Sequence, residues 1–174
     1  MRATLFMVTI LLIPSLSWAN ASELTGTWSS DPDRQPLSTS FDESVWGKDA
    51  TAVRTVQMSI SESGDATLSI TRKVVDGRGR TVPASTSIER ATLVLGDVKS
   101  SNDVRAEHET TVKHAERQYP DDPGATWTIE GLQVGIATFP GKPGEIEVRV
   151  DFPDGHGSFW DILNRASGKA PPKR

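Results

Sequence analysis

Residues 53–79, VRTVQMSISESGDATLSITRKVVDGRG, decide the fold. From Val53 to Ile60 apolar and polar side chains alternate. Val56, Met58 and Ile60 share one face, and Thr55, Gln57 and Ser59 the other. Ser61-Glu62-Ser63-Gly64-Asp65 reads as a turn. Alternation then resumes over Ala66 to Val75, with Leu68, Ile70 and Val74 opposite Thr67, Ser69, Thr71 and Lys73. Asp76-Gly77-Arg78-Gly79 is a hairpin signal. Strands that are apolar on one face and carry Thr, Ser and charges on the other belong to antiparallel sheets.

The same period extends in both directions. Leu24 to Ser30 (LTGTWSS) is a short first strand, Thr86 to Leu95 a return strand, and Asp103 to Arg117 a long one. Trp127 to Ile129, Val134 to Phe139 and Glu145 to Phe152 follow, separated by turns such as Pro140-Gly141-Lys142-Pro143-Gly144. In the last of these Ile146, Val148, Val150 and Phe152 point inward, while Glu145, Glu147, Arg149 and Asp151 point outward. About eight or nine closely spaced strands predict an all-β antiparallel meander, closed as a barrel or folded as a sandwich. Two segments depart from the period. Ser40-Phe41-Asp42-Glu43 is a capping box, and Phe41 and Val45 share a helical face, which predicts a short helix in the loop after the first strand. Ser158-Phe159-Trp160-Asp161, the Phe159–Leu163 spacing and Gly168 as a stop predict a C-terminal helix over Phe159 to Ala166, with a final edge strand as the alternative.

The N-terminus reads as a signal peptide over residues 1–21. Arg2 supplies a positive start, Leu5 to Ile13 an apolar core, Pro14 its end, and Ala19-Asn20-Ala21 a small-x-small cleavage pattern. The apolar run is too short for a retained span, and no second long apolar run follows. A periplasmic or secreted protein is expected, with one domain over 22–166 and a flexible basic tail over 167–174. The chain has no cysteine, so its core must suffice without disulfides, and a thiol nucleophile or cysteine-bound metal is excluded. Its formal net charge is −4 without a dense basic patch, which argues against nucleic acid as a partner.

Leu24-Thr25-Gly26-Thr27-Trp28 contains Gly26-Thr27-Trp28, which resembles the G-x-W signature opening the first strand of lipocalins and related calycin barrels. The T-D-Y motif of that family has no counterpart. The resemblance implies a meander barrel around a ligand cavity, a long loop after the first strand (here Asp31 to Ala52) and an outer C-terminal helix. It also implies an arginine covering Trp28, for which Arg149 and Arg165 are both candidates. In this reading Trp28 closes one end of the core and is structural.

Candidate site residues follow from their faces. On the long strand, Val104, Ala106, His108, Thr110, Val112 and His114 share one face. The two histidines lie roughly 20 Å apart, too far to share a metal. Two separately hydrogen-bonded histidines are the bland reading, and His108 lining a semi-polar cavity the functional one. Arg72 and Arg90, placed on faces with Leu68, Ile70 and Ile88, either snorkel to a rim or meet an acidic ligand group. Trp46, on the loop helix, is a lid or contact residue. His156 reads as an exposed turn residue. Asp31, Asp33, Asp121 and Asp122 lack calcium-loop spacing. No nucleophile elbow, H-E-x-x-H or P-loop occurs, so no catalytic residue, cofactor or metal ligand is assigned. The expectation is a non-catalytic binding protein holding a small lipophilic or acidic molecule in a barrel interior. The alternatives are a protein-interaction (accessory or inhibitor) module and a hydrolase of unrecognised type.

Overall fold

A computed structural model describes residues 21–153 and 157–166. Residues 1–20, where a signal peptide is expected, residues 154–156 with His156, and the expected tail from residue 167 lie outside the described residues. A 3-10 turn, Ala21–Leu24, precedes ten strands: β1 (Gly26–Ser29), β2 (Asp33–Pro36), β3 (Thr51–Ile60), β4 (Asp65–Val75), β5 (Ser87–Ser101), β6 (Ala106–Tyr119), β7 (Asp122–Thr128), β8 (Gln133–Thr138), β9 (Glu145–Asp151) and β10 (Ser158–Arg165). One helix, α1 (Ser40–Trp46), joins β2 to β3.

Every pairing is antiparallel, and eight strands close a ring in the order β1, β3, β4, β5, β6, β8, β9, β10. β1 shuts the ring, pairing Trp28 with Met58 on one side and with Arg165 on the other. The two remaining strands share partners along their length. β2 pairs with the start of β3, upstream of β1, and β7 pairs with the end of β6, downstream of β8. The fold is therefore the barrel form of the predicted all-β meander.

The alternation seen in the sequence becomes the inside and outside of the barrel. Val56, Met58 and Ile60 of β3 and Leu68 and Ile70 of β4 face in, meeting Leu93 and Leu95 of β5 and Ile146, Val148 and Val150 of β9. Most of these side chains are less than 2 % exposed. Burying each such group contributes about 1.5–3 kcal/mol. The deep interior is a packed core. The turn between β3 and β4 closes through Gly64 at φ 83°, whose N–H donates to Ser61 O at 3.0 Å.

Three expectations are corrected here. The C-terminal segment is a strand, β10, seven of whose residues pair with β9. Phe159 and Leu163 lie four apart, which suits a helix, but they also fall on one face of a strand. Asp161 faces inward with them, and the strand is needed to fill the gap between β9 and β1. The helix in the loop does form, but its cap is Thr39, one residue earlier: Thr39 Oγ1 accepts from Asp42 N–H, and Asp42 Oδ2 accepts from Thr39 N–H at 3.3 Å. Finally, β6 does not keep one face throughout. A β-bulge against β5, between the Thr92–His114 and Leu93–Val112 pairs, shifts the register. Val112 points in, His114 out, and Ala115 and Arg117 in again. β2 was not expected from the sequence.

Candidate functional site

The two ends of the barrel differ in chemistry. One end is closed by Trp28, whose side chain is fully buried. Its Nε1–H donates to Leu24 O at 2.9 Å, and the Arg165 guanidinium lies 4.6 Å from the indole centroid while donating to Glu23 O. Arg165, not Arg149, is the arginine over this tryptophan. Arg149 instead faces outward and pairs with Asp151 at 3.0 Å.

At the opposite end the inward faces of β3, β4, β5, β6 and β10 carry, in place of aliphatic residues, Arg54, Arg72, Glu89, Arg117 and Asp161. Glu89 is only 3 % exposed. Its Oε1 accepts from Arg117 Nε at 3.1 Å, and its Oε2 lies 3.5 Å from Arg72 Nε. Arg54 Nη2 sits 3.0 Å from Asp33 Oδ2 and 3.5 Å from Asp161 Oδ2. Burial pushes the Asp161 carboxyl above the usual carboxylate range, against the opposing pull of Arg54. Two phenyl rings interleave with the guanidiniums. Arg54 lies 4.0 Å from the Phe159 centroid, Arg72 5.5 Å from those of Phe152 and Phe159, and Arg117 5.8 Å from that of Phe152. Register places Trp127 opposite Arg117 on the same face, in edge contact with Tyr119.

This layer is incompletely satisfied. Nε and Nη2 of Arg72 have no hydrogen-bond partner, since the 3.5 Å approach to Glu89 is an ion pair outside hydrogen-bond geometry. Among the described residues Arg72 meets one acid, Glu89, and shares it with Arg117. It borders a recess of about 170 Å³ that also touches Asp33, Arg54, Lys73 and Ser85. Such an arrangement offers charge-assisted donors and aromatic faces to an anion.

Of the candidate ligand residues Arg72, Arg90, His108 and Trp46, Arg72 lies in this layer and the others do not; Asp33, read as a turn residue, pairs with Arg54 at its edge. Arg90 is corrected: it points outward, is exposed, and donates to Gln118 Oε1 at 2.8 Å. Its neighbour Glu89 takes the inward place because the inward face of β5 runs through Ala91, Leu93 and Leu95. His108 is buried toward the Trp28 end, with Nδ1 3.4 Å from Gly96 O and Nε2 3.3 Å from Thr138 Oγ1. Burial holds its pKa below the ordinary value. His114 is also corrected, since the bulge turns it to solvent, 3.5 Å from Glu116 Oε2. Trp46 is half-buried on α1, a helix with no buried residue. Arg54, Glu89, Arg117 and Asp161 were missed. Counting back by two from Val56 and from Ala91 leads to Arg54 and Glu89. The bulge hides Arg117, and the helical reading hides Asp161.

Among the described residues no group of three His, Asp or Glu side chains is placed to hold a metal ion. None of the described helices is long and apolar enough to cross a membrane. Comparison with models of protein families, with curated proteins and with solved structures gives no match.

Proposed function

We propose that this chain is an exported, non-catalytic binding protein that takes an acidic small molecule at the arginine-lined end of its barrel. One observation carries the reading: the Arg72 side chain, a third exposed, lines an open recess, two of its guanidinium nitrogens are buried without hydrogen-bond partners, and the one acid it meets among the described residues is shared with Arg117. The packed deep interior supports a site at the mouth in preference to a central lumen. Ring closure by β1, with Arg165 over Trp28, supports the lipocalin-like comparison. Export rests on the leader pattern of residues 1–21.

Anilinonaphthalene sulfonate, an anion with an aromatic body, is a suitable probe. Arg72→Ala is expected to weaken its binding by about 1–3 kcal/mol, the range for a charge-assisted contact, while Arg90→Ala leaves it unchanged. Equal affinity in the Arg72 variant and the parent refutes the reading. A second reading, a protein-interaction module, is favoured by α1, where Phe41 is 73 % and Val45 48 % exposed on one helical face. Loss of a co-purifying protein in a Phe41→Ser/Val45→Ser variant, with probe binding intact, selects that reading.

A further inference from the structure

The outer wall of the barrel carries a second feature that the mouth does not explain. The ladder between β6 and β8 ends at His108–Ile136, and the ladder between β6 and β7 begins only at Glu116–Thr128. Between these points β6 stands apart from β8, bridged by the Thr110 hydroxyl donating to Val134 O. A hollow of about 610 Å³ opens there. A second hollow, about 390 Å³, adjoins it over β9 and β10, and the two share Arg105 and Arg149. Together they form a trough running across the strands, from Lys99 on β5 to Trp160 on β10.

Three properties of this trough point to one kind of occupant. First, it ends on an indole: Trp160 is 64 % exposed and lies in register with Arg149. An exposed aromatic face offers apolar contact while its N–H stays available to a polar ligand. Second, its arginines are each matched by acids. Arg105 lies 2.7 Å from Glu107 and 2.5 Å from Glu147, and Arg149 lies 3.0 Å from Asp151. Paired charges set donors and acceptors side by side without a field of one sign, which suits a neutral ligand rich in hydroxyls and not a polyanion. Third, the trough has room: Gly135, between Arg149 and β6, leaves the floor without a side chain. The direction matters as well. An added peptide strand would run along β6, whereas this trough spans five strands and presents side chains in place of a backbone ladder.

We infer that the trough is a binding site for a neutral oligosaccharide, with one sugar ring lying on Trp160 and its hydroxyls bonded by Arg149, Arg105 and their paired carboxylates. The site is independent of the mouth and of the ligand proposed there.

The test is isothermal titration of the parent with cellohexaose, maltohexaose and chitohexaose. At least one is expected to bind, with an affinity insensitive to added salt because no net charge is neutralised. Trp160→Ala is expected to weaken that binding about tenfold, the effect of losing one stacked ring. Gly135→Leu, which fills the floor, is expected to abolish it, and Arg72→Ala to leave it unchanged. Trp160 is exposed, so its removal leaves the fold intact, and an unchanged melting temperature confirms this. Failure of all three sugars to bind overturns the inference. So does binding that survives both trough substitutions, or capture of a dextran sulfate or an extended peptide in their place.

Discussion

Replacing Trp28 with alanine tests the architecture most directly. The indole is fully buried where β1 shuts the ring, opposite Met58 and Arg165. Alanine at this position leaves a cavity among side chains that are themselves fully buried, including Met58 and Leu163. It also removes the 2.9 Å bond to Leu24 O and the surface on which Arg165 rests. Truncating a large buried aromatic costs about 3–5 kcal/mol, a large share of the stability of a domain this size. With an unfolding entropy near 0.3 kcal/mol/K for about 150 residues, the melting temperature should fall by about 10–15 °C. Calorimetry of the purified variants measures this. Trp46→Ala on α1, where no residue is buried, is the control and should melt within a few degrees of the parent. If Trp28→Ala melts like Trp46→Ala, the indole is not what closes this end of the barrel.

Two further outcomes follow from buried charge and burial of a titratable ring. Glu89→Gln removes the one carboxylate between Arg72 and Arg117 and should cost about 3–5 kcal/mol in urea unfolding. A Glu89→Leu/Arg72→Leu/Arg117→Leu triple variant, which removes both guanidiniums with the acid they share, should recover much of that loss, and an equal or larger loss in the triple variant would remove the ion-pair cluster as its cause. His108 has a folded pKa below its ordinary 6.5, so the unfolded chain binds the extra proton first as pH falls. Its contribution to stability is full above pH 6.5 and is lost as pH falls from there through the folded value. Stability curves measured across that window should slope in the parent and flatten in His108→Gln, and parallel slopes would exclude His108 as the source.

Much of this fold could be read from two-residue periodicity because the interior is aliphatic and the exterior polar. Ile146, Val148 and Val150 announce their face without help from the rest of the chain. Reading fails where that rule is inverted. At the mouth the inward positions hold Arg54, Glu89 and Arg117, residues that a period-2 pattern assigns to solvent. Ile88, which is apolar, faces outward, and so it drew Arg90 to the wrong face. A bulge is equally silent in sequence. Nothing in Val112-Lys113-His114 marks the change of face, which arises from pairing with β5. In β10, Phe159 and Leu163 satisfy both periods, and only the unfilled place between β9 and β1 decides between them.

The seam of the ring has a consequence for how the chain reaches this state. β9 and β10 are neighbours in sequence and pair along seven residues, but β1 meets β10 through only two pairs, Trp28–Arg165 and Ser29–Asn164. Those partners come from opposite ends of the domain, and their joining closes nearly the whole chain into one loop. The hairpins from β3 to β6 can form early from local contacts, whereas the seam adds the longest closure for the shortest ladder. Until Ser158–Arg165 is in place, the aliphatic face of β9 and the indole of Trp28 both lack their cover. A growing or truncated chain that ends before residue 158 therefore carries an open sheet with two sticky edges, and the last strand made is the one that ends its tendency to associate.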